Sequence, residues 1–217
     1  MLLVFFSLFL LPCDIYTVDA LLSTQLDALR KLYDSLNGAN WTYDIRESDR
    51  NMSSIWFNGV QNDPCIPSPW YGLTCSQDNT VITHLILKNF NLEGYLPDDV
   101  FIALNTSQEI NLYMNFIYDQ LPSSLQASSQ SLTYLDVGSN YFNGTLPHWL
   151  GNLTQLRNLW VDKNNFTGSI PMNICQLRNI NEFIAYRNGI TGSIPACIGN
   201  MMNASVFQIY NNQMTGK

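Results

Sequence analysis

Basic residues are scarce in this chain of 217 residues: ten lysines and arginines stand against seventeen aspartates and glutamates, for a formal net charge of −7. No basic block occurs anywhere, so the electrostatic footprint of a nucleic-acid binder is missing. Histidine is scarcer still, at two residues. His84 and His148 fall at different places in the sequence pattern and do not pair, and no cysteine–histidine set has zinc spacing. No metal or cofactor is implied. Gly-x-Ser-x-Gly, a phosphate loop and the kinase signatures are all absent. Long hydrophobic runs are also lacking. The longest, over residues 2–11, is too short for a bilayer-crossing helix, which needs about 20 residues. Membrane association would need a segment that this chain does not contain.

What the chain has instead is repetition. Residues 156–171 read Leu-Arg-Asn-Leu-Trp-Val-Asp-Lys-Asn-Asn-Phe-Thr-Gly-Ser-Ile-Pro. The same pattern closes at Pro97, Pro122, Pro147, Pro171 and Pro195, with spacings of 25, 25, 24 and 24 residues. A sixth copy opens at Ala204 and stops before its proline. A period of this length implies a solenoid. Within the fourth copy, Leu156, Leu159 and Val161 point to the core, and the alternation around Leu159 and Val161 predicts a short strand with one buried face. Asn164 turns the chain, with Asn140, Asn188 and Asn212 at the same place, and their amides are expected to form a column bonding backbone groups of neighbouring turns. Gly168 supplies a position free of Cβ, and Pro171 suits a segment leaving a sheet. Val100, Leu125, Leu150, Ile174 and Ile198 follow three residues after the prolines. No single copy can bury these side chains; stacked copies bury them as one core.

The run of asparagine turn, Gly-x-Ile-Pro and leucine spacing resembles the plant-type leucine-rich repeat family over residues 82–217. The resemblance implies an α/β repeat fold: a right-handed, curved leucine-rich repeat solenoid with parallel strands on the concave face and an N-terminal helical cap. Two copies depart from the pattern. Phe90 stands at the asparagine place of the first copy and Asp119 at the glycine place of the second, which makes the second copy's local conformation the open one.

Three segments are expected. Residues 1–20 read as a secretory signal peptide cut after Ala20, with Val18 and Ala20 as the small residues before the cut, although the first residues carry no lysine or arginine. Residues 21–81 resemble the family's N-terminal cap, with Asp63-Pro64-Cys65 and Trp70-Tyr71-Gly72-Leu73-Thr74-Cys75 as its signature. Leu26, Leu29, Leu32, Tyr33 and Leu36 share a helical face there. Thr24 and Asp27 are expected to cap that helix and Gly38 to end it. Residues 43–62 read as an exposed loop. Residues 82–217 are the repeats, five full and one cut short in mid-pattern, which suggests a chain that originally continued.

Cysteine usage fits export. Cys65 and Cys75 match the cap's paired cysteines, which implies a disulfide. Cys175 and Cys197 lie in adjacent copies, and both a second bridge and two buried thiols stand open. Seven glycosylation sequons, at Asn40, Asn51, Asn105, Asn143, Asn152, Asn165 and Asn203, agree with an extracellular place, secreted or at the cell surface.

The candidate site is the outward face of the strands, where Tyr113, Asp136, Trp160, Asp162, Lys163, Tyr186, Arg187 and Tyr210 line one continuous surface. Aromatics and arginine are what binding hot spots favour. Asp136 and Asp162 are read as part of a solvated recognition face, not as a catalytic pair. The chain is thus expected to bind, not to catalyse: to recognise a peptide or protein ligand, as the ectodomains of the receptor-like proteins and kinases that it resembles do, with a co-receptor as further partner. A secreted inhibitor of wall-degrading enzymes, whose partner is a secreted enzyme, and a structural surface glycoprotein are the alternatives.

Overall fold

The computed structural model describes residues 14–42, 56, 63–66, 70–201 and 203–216. Each copy contributes a strand to a seven-stranded sheet built from β1 (Leu73–Cys75), β2 (Ile82–Ile86), β4 (Glu109–Asn111), β6 (Tyr134–Asp136), β8 (Asn158–Trp160), β10 (Glu182–Ile184) and β12 (Val206–Gln208), in that spatial order. All neighbours from β2 onward are parallel, while β1, which belongs to the cap, pairs antiparallel with β2. The register sets Leu85, Ile110, Leu135, Leu159, Phe183 and Phe207 side by side. All but Phe207 are buried.

After each asparagine turn a second, shorter strand follows: β3 (Glu93–Gly94), β5 (Phe116–Asp119), β7 (Tyr141–Phe142), β9 (Thr167–Ser169) and β11 (Gly189–Thr191). These pair in parallel along the flank. The prolines then open a short helix α2 (Val100–Ala103) or a 3-10 turn such as His148–Asn152 and Met172–Gln176 on the opposite side. Proline fits there because it carries no N–H to leave unpaired. Val100, Leu125, Leu150 and Ile174 are buried as the period requires, and Ile198 is half-buried. The expected solenoid is thus present, with one core running its length.

The asparagine column is present and includes Asn115, so Asn115, Asn140, Asn164, Asn188 and Asn212 act alike. Asn164 Oδ1 accepts from the Phe142 backbone N–H at 2.9 Å, and its Nδ2 donates to the carbonyls of Val137 (2.9 Å) and Val161 (3.3 Å). Each asparagine therefore bonds its own rung and the preceding one. Phe90, at the asparagine place of the first copy, is buried instead and packs on Tyr71 of the cap with ring centroids 5.7 Å apart.

The cap differs from expectation in two ways. Its helix α1 spans Asp14–Ser35, so Thr24 and Asp27 lie inside it and do not cap its start, and the expected cut after Ala20 falls within it. The left-handed residue beyond its end is Asn37, with φ 56°, not Gly38. Asparagine tolerates that conformation because its short polar side chain bonds locally. Leu29, Leu32 and Leu36 are buried as their spacing predicts. In the expected exposed loop, Trp56 is buried between Trp41 and Trp70, at centroid distances of 5.0 and 5.5 Å. The rest of residues 43–62 lies outside the described residues. Cys65–Cys75 is a disulfide, and Cys175–Cys197 is one too, with Cα atoms 5.8 Å apart, which settles the open alternative.

Candidate functional site

The exposed side of the long sheet carries three columns of side chains. The in-register positions give His84, Glu109, Tyr134, Asn158, Glu182 and Val206 in one column and Ile86, Asn111, Asp136, Trp160, Ile184 and Gln208 in the next. Two residues further along each strand come Lys88, Tyr113, Gly138, Asp162, Tyr186 and Tyr210. A hollow of about 310 Å³ opens on this face, lined among others by Tyr113, Tyr134, Asp136, Trp160, Asp162 and Tyr186. Six of the eight expected residues flank or line this region. Arg187 lies at the turn, exposed and with φ 54°, and Tyr210 is exposed on the last rung.

The two aspartates are not a solvated face. Asp136 retains only 2% of its surface and Asp162 only 4%. Neighbouring rings cover them: Tyr134 and Trp160 pack at 5.5 Å between centroids, and Tyr186 stacks on Tyr210 at 4.7 Å. Burial penalises a charge, and like charges add to the penalty. The Asp136 carboxyl is accordingly pushed up to about 7, chiefly by desolvation and further by the charge of Asp162, while the Gly138 N–H and Lys88 pull it the other way. Asp162 is raised for the same first reason, against hydrogen bonding from Tyr186 and the nearby Lys163.

Gly138 makes this arrangement possible. A Cβ there would stand 2.8 Å from Asp162 Oδ1 and 3.1 Å from Asp136 Oδ1. The glycine thus leaves the two carboxylates on either side of one gap. Its N–H donates to Asp136 Oδ1 at 2.9 Å. Cations border the gap without filling it: Lys163 Nζ lies 5.9 Å from the Tyr113 ring centre and 5.6 Å from that of Tyr186, and Lys88 Nζ lies 5.1 Å from Tyr113. Among the described residues no cluster of metal-ligating side chains occurs.

The Tyr134 column is absent from the sequence-based site. Tyr134 O–H reaches Asp136 Oδ2 at 3.4 Å, and Trp160 Nε1 donates to Glu182 Oε2 at 3.1 Å. Burial and the carboxylates around it raise the Tyr134 hydroxyl strongly, which keeps it a donor. Tyr134 and Glu182 immediately precede the central apolar residues Leu135 and Phe183, which marks their place on the face but not what they touch. His84 and His148 lie apart, one in β2 and the other opening a 3-10 turn behind the sheet.

Stacked parallel rungs, an asparagine column and a capped N-terminal edge define a leucine-rich repeat solenoid with a built concave surface. The chain is similar to leucine-rich repeat proteins of plants. The family profile described as Leucine Rich Repeat matches residues 131–153 and 155–177. A probable leucine-rich repeat receptor-like serine/threonine-protein kinase of Arabidopsis thaliana is 28% identical over 148 residues, which is 67% of this chain and 14% of that protein. The crystal structure of the ectodomain of the receptor kinase SOBIR1 from Arabidopsis thaliana superposes with a TM-score of 0.69 at 23% identity, over 89% of this chain and 96% of that one. A plant ice-binding protein superposes with a TM-score of 0.74 at 25% identity, over 89% and 57%. The chain spans 8% to 14% of the length of the curated relatives it matches.

Proposed function

We propose that the concave face recognises an extracellular peptide or protein segment, and that a basic group of this ligand sits over Asp136 and Asp162. The carrying observation is the gap above Gly138, where two buried carboxylates lie between aromatic walls. A guanidinium or ammonium placed there gains charge-assisted hydrogen bonds and contact with the ring faces of Trp160 and Tyr186. The Arabidopsis relative's description as receptor-like supports a recognition role for such a domain. Binding is favoured over catalysis because the hollow is lined for holding a cation, with Tyr134 and the Gly138 N–H already engaged by Asp136. Export agrees with the two disulfides and with the sequons. Asn40, Asn105, Asn143, Asn152, Asn165 and Asn203 are all exposed, while Asn51 lies outside the described residues. The signal peptide over residues 1–20 belongs to the same proposal.

The test is selection from a random peptide library on the immobilised protein at pH 8. Enrichment of peptides carrying arginine or lysine is expected, and the enrichment should vanish with the double variant Asp136→Asn, Asp162→Asn. Equal selection by both proteins would overturn the assignment. Affinity for a selected peptide should also rise from pH 6 to pH 8, because Asp136 loses its proton near 7.

One observation favours a second reading. Along the flank strands, Thr145, Thr167, Ser169 and Ser193 present exposed hydroxyls around parallel strands β9 and β11, and the plant ice-binding protein shares the fold at 25% identity. Thermal hysteresis or inhibition of ice recrystallisation, lost with Thr167→Lys, would support it.

A further inference from the structure

A second hollow, of about 520 Å³, lies at the edge of the concave face and shares Tyr113 with the hollow there. Its lip is the row of residues just before the asparagine column: Asn89, Met114 and Ser139 are all left-handed, with φ of 58°, 57° and 53°. Its far wall is formed by Phe116 and Tyr141, the first residues of β5 and β7. Their rings stack with centroids 6.2 Å apart and planes 30° from parallel. Both rings nevertheless stay open to solvent, at 45% and 52%. Stacking on each other has therefore not buried them, and they form a shallow apolar platform two rungs wide.

The polar lining is of one kind. Asn89, Asn91, Ser139, Thr42 and Tyr113 contribute amides and hydroxyls, and no carboxylate or arginine is among the described lining residues. Lys163 is the single charged member among the described lining residues, and it is engaged by the Tyr186 hydroxyl on the concave side. Amides and hydroxyls each donate and accept, which matches a ligand whose groups do both. A platform of aromatic faces next to such groups matches a ligand with one apolar face. Pyranose sugars with equatorial hydroxyls have both properties: axial C–H bonds cover the two faces of the ring and hydroxyls ring its edge. A peptide segment with charged side chains would find, among the described lining residues, one ammonium that is already engaged.

We propose that this hollow is a carbohydrate subsite for a neutral oligosaccharide of β-linked pyranoses, laid with its C–H face on Phe116 and Tyr141 and its edge toward Asn89, Asn91 and Ser139. The site is distinct from the gap at Gly138, since neither Phe116 nor Tyr141 lines the concave hollow.

Isothermal titration of the full chain with a soluble β-1,4-linked glucose hexamer, a mannose hexamer and a galacturonic acid hexamer tests this. Saturable binding of a neutral hexamer is expected. Phe116→Ala and Tyr141→Ala should each weaken it about threefold to tenfold, the range of one aromatic contact, whereas Trp160→Ala on the concave face should leave it unchanged. Both rings are half-exposed, so the variants should keep the melting temperature of the parent, and a melt confirms that. Absence of binding by both neutral hexamers, binding of the acidic hexamer alone, or neutral binding indifferent to both ring variants would each overturn the proposal. Loss of peptide selection with Asp136→Asn, Asp162→Asn leaves this outcome untouched, so the two sites fail separately.

Discussion

Asp119 occupies the place that Gly144, Gly168 and Gly192 hold in the following copies, and it adopts their backbone conformation: φ is 77° at Asp119 against 75°, 67° and 73° at the glycines. The departure from the pattern thus changes the cost and not the shape. An L-residue pays about 1–2 kcal/mol for the left-handed region, less for aspartate. The Asp119 Oδ1 bond to the Gln120 N–H is exposed and water can replace it. Asp119→Gly is therefore expected to stabilise the chain by about 0.5–1 kcal/mol in urea unfolding. The reverse change, Gly168→Ala, should destabilise, since its Cβ would stand 2.8 Å from Thr145 Cγ2. Asp136 gives the second prediction at this scale. The unfolded chain releases its proton near the ordinary aspartate value, whereas the folded chain holds it to about 7. Between these values the folded state binds more protons, so stability falls as pH rises from about 4 to about 7. Asp136→Asn should flatten that slope, amounting to about 2–4 kcal/mol between pH 4 and pH 8. An unchanged slope would mean that Asp136 ionises freely.

At the level of the repeat, the asparagine column couples one rung to the next through buried side-chain hydrogen bonds. Removing the Asn164 amide leaves the buried Phe142 N–H without its acceptor and takes a donor from the Val137 and Val161 carbonyls. Asn164→Ala should cost about 2–4 kcal/mol, the sum of such orphaned groups. Asn164→Asp keeps the acceptor but turns an anion toward two carbonyls, so it should not restore stability; full rescue by aspartate would show that only the Phe142 contact matters. This element was legible in the sequence because it recurs: one residue type at one phase, with the core leucines around it, admits few other readings. The second flank sheet and the Tyr134 column were not legible in the same way. What a strand residue on the open face touches depends on the bulk of its neighbours one rung away, and that information lies 22 to 26 residues distant. Asp136 and Asp162 look solvated in the chain because acids on open sheet faces usually are. They are buried because Tyr134, Trp160 and Tyr186 happen to stand on adjacent rungs, with a glycine between.

Along the whole molecule the two ends are held differently. The first rung is sealed by the cap, where Trp41 Nε1 donates to the Leu36 carbonyl at 2.7 Å and three tryptophans and Tyr33 pack in series. A Lys31–Asp99 ion pair joins the same helix to the first copy, but both side chains are exposed, and such a pair adds little. Toward the other end burial thins: Phe183, Ala185 and Ile190 are buried, while Phe207, Ile209 and Met214, at corresponding places one rung on, are only partly so. Nearest-neighbour stacking makes a rung as stable as its own burial and its contacts allow. The Cys175–Cys197 bridge joins these thinner rungs behind the sheet. Closing a loop of this size contributes about 3 kcal/mol by limiting the unlinked chain. The double variant Cys175→Ser, Cys197→Ser should therefore open the last rungs locally. Amides that bond across them, such as Val206 to the Asn181 carbonyl and Ala185 to that of Gln208, should exchange with solvent about tenfold to a hundredfold faster. Those of β2 and β4 should keep their protection, because the rung of β6 stands between them and the lost link. Equal acceleration everywhere would mean that the solenoid unfolds as one unit and that the bridge acts on the whole chain.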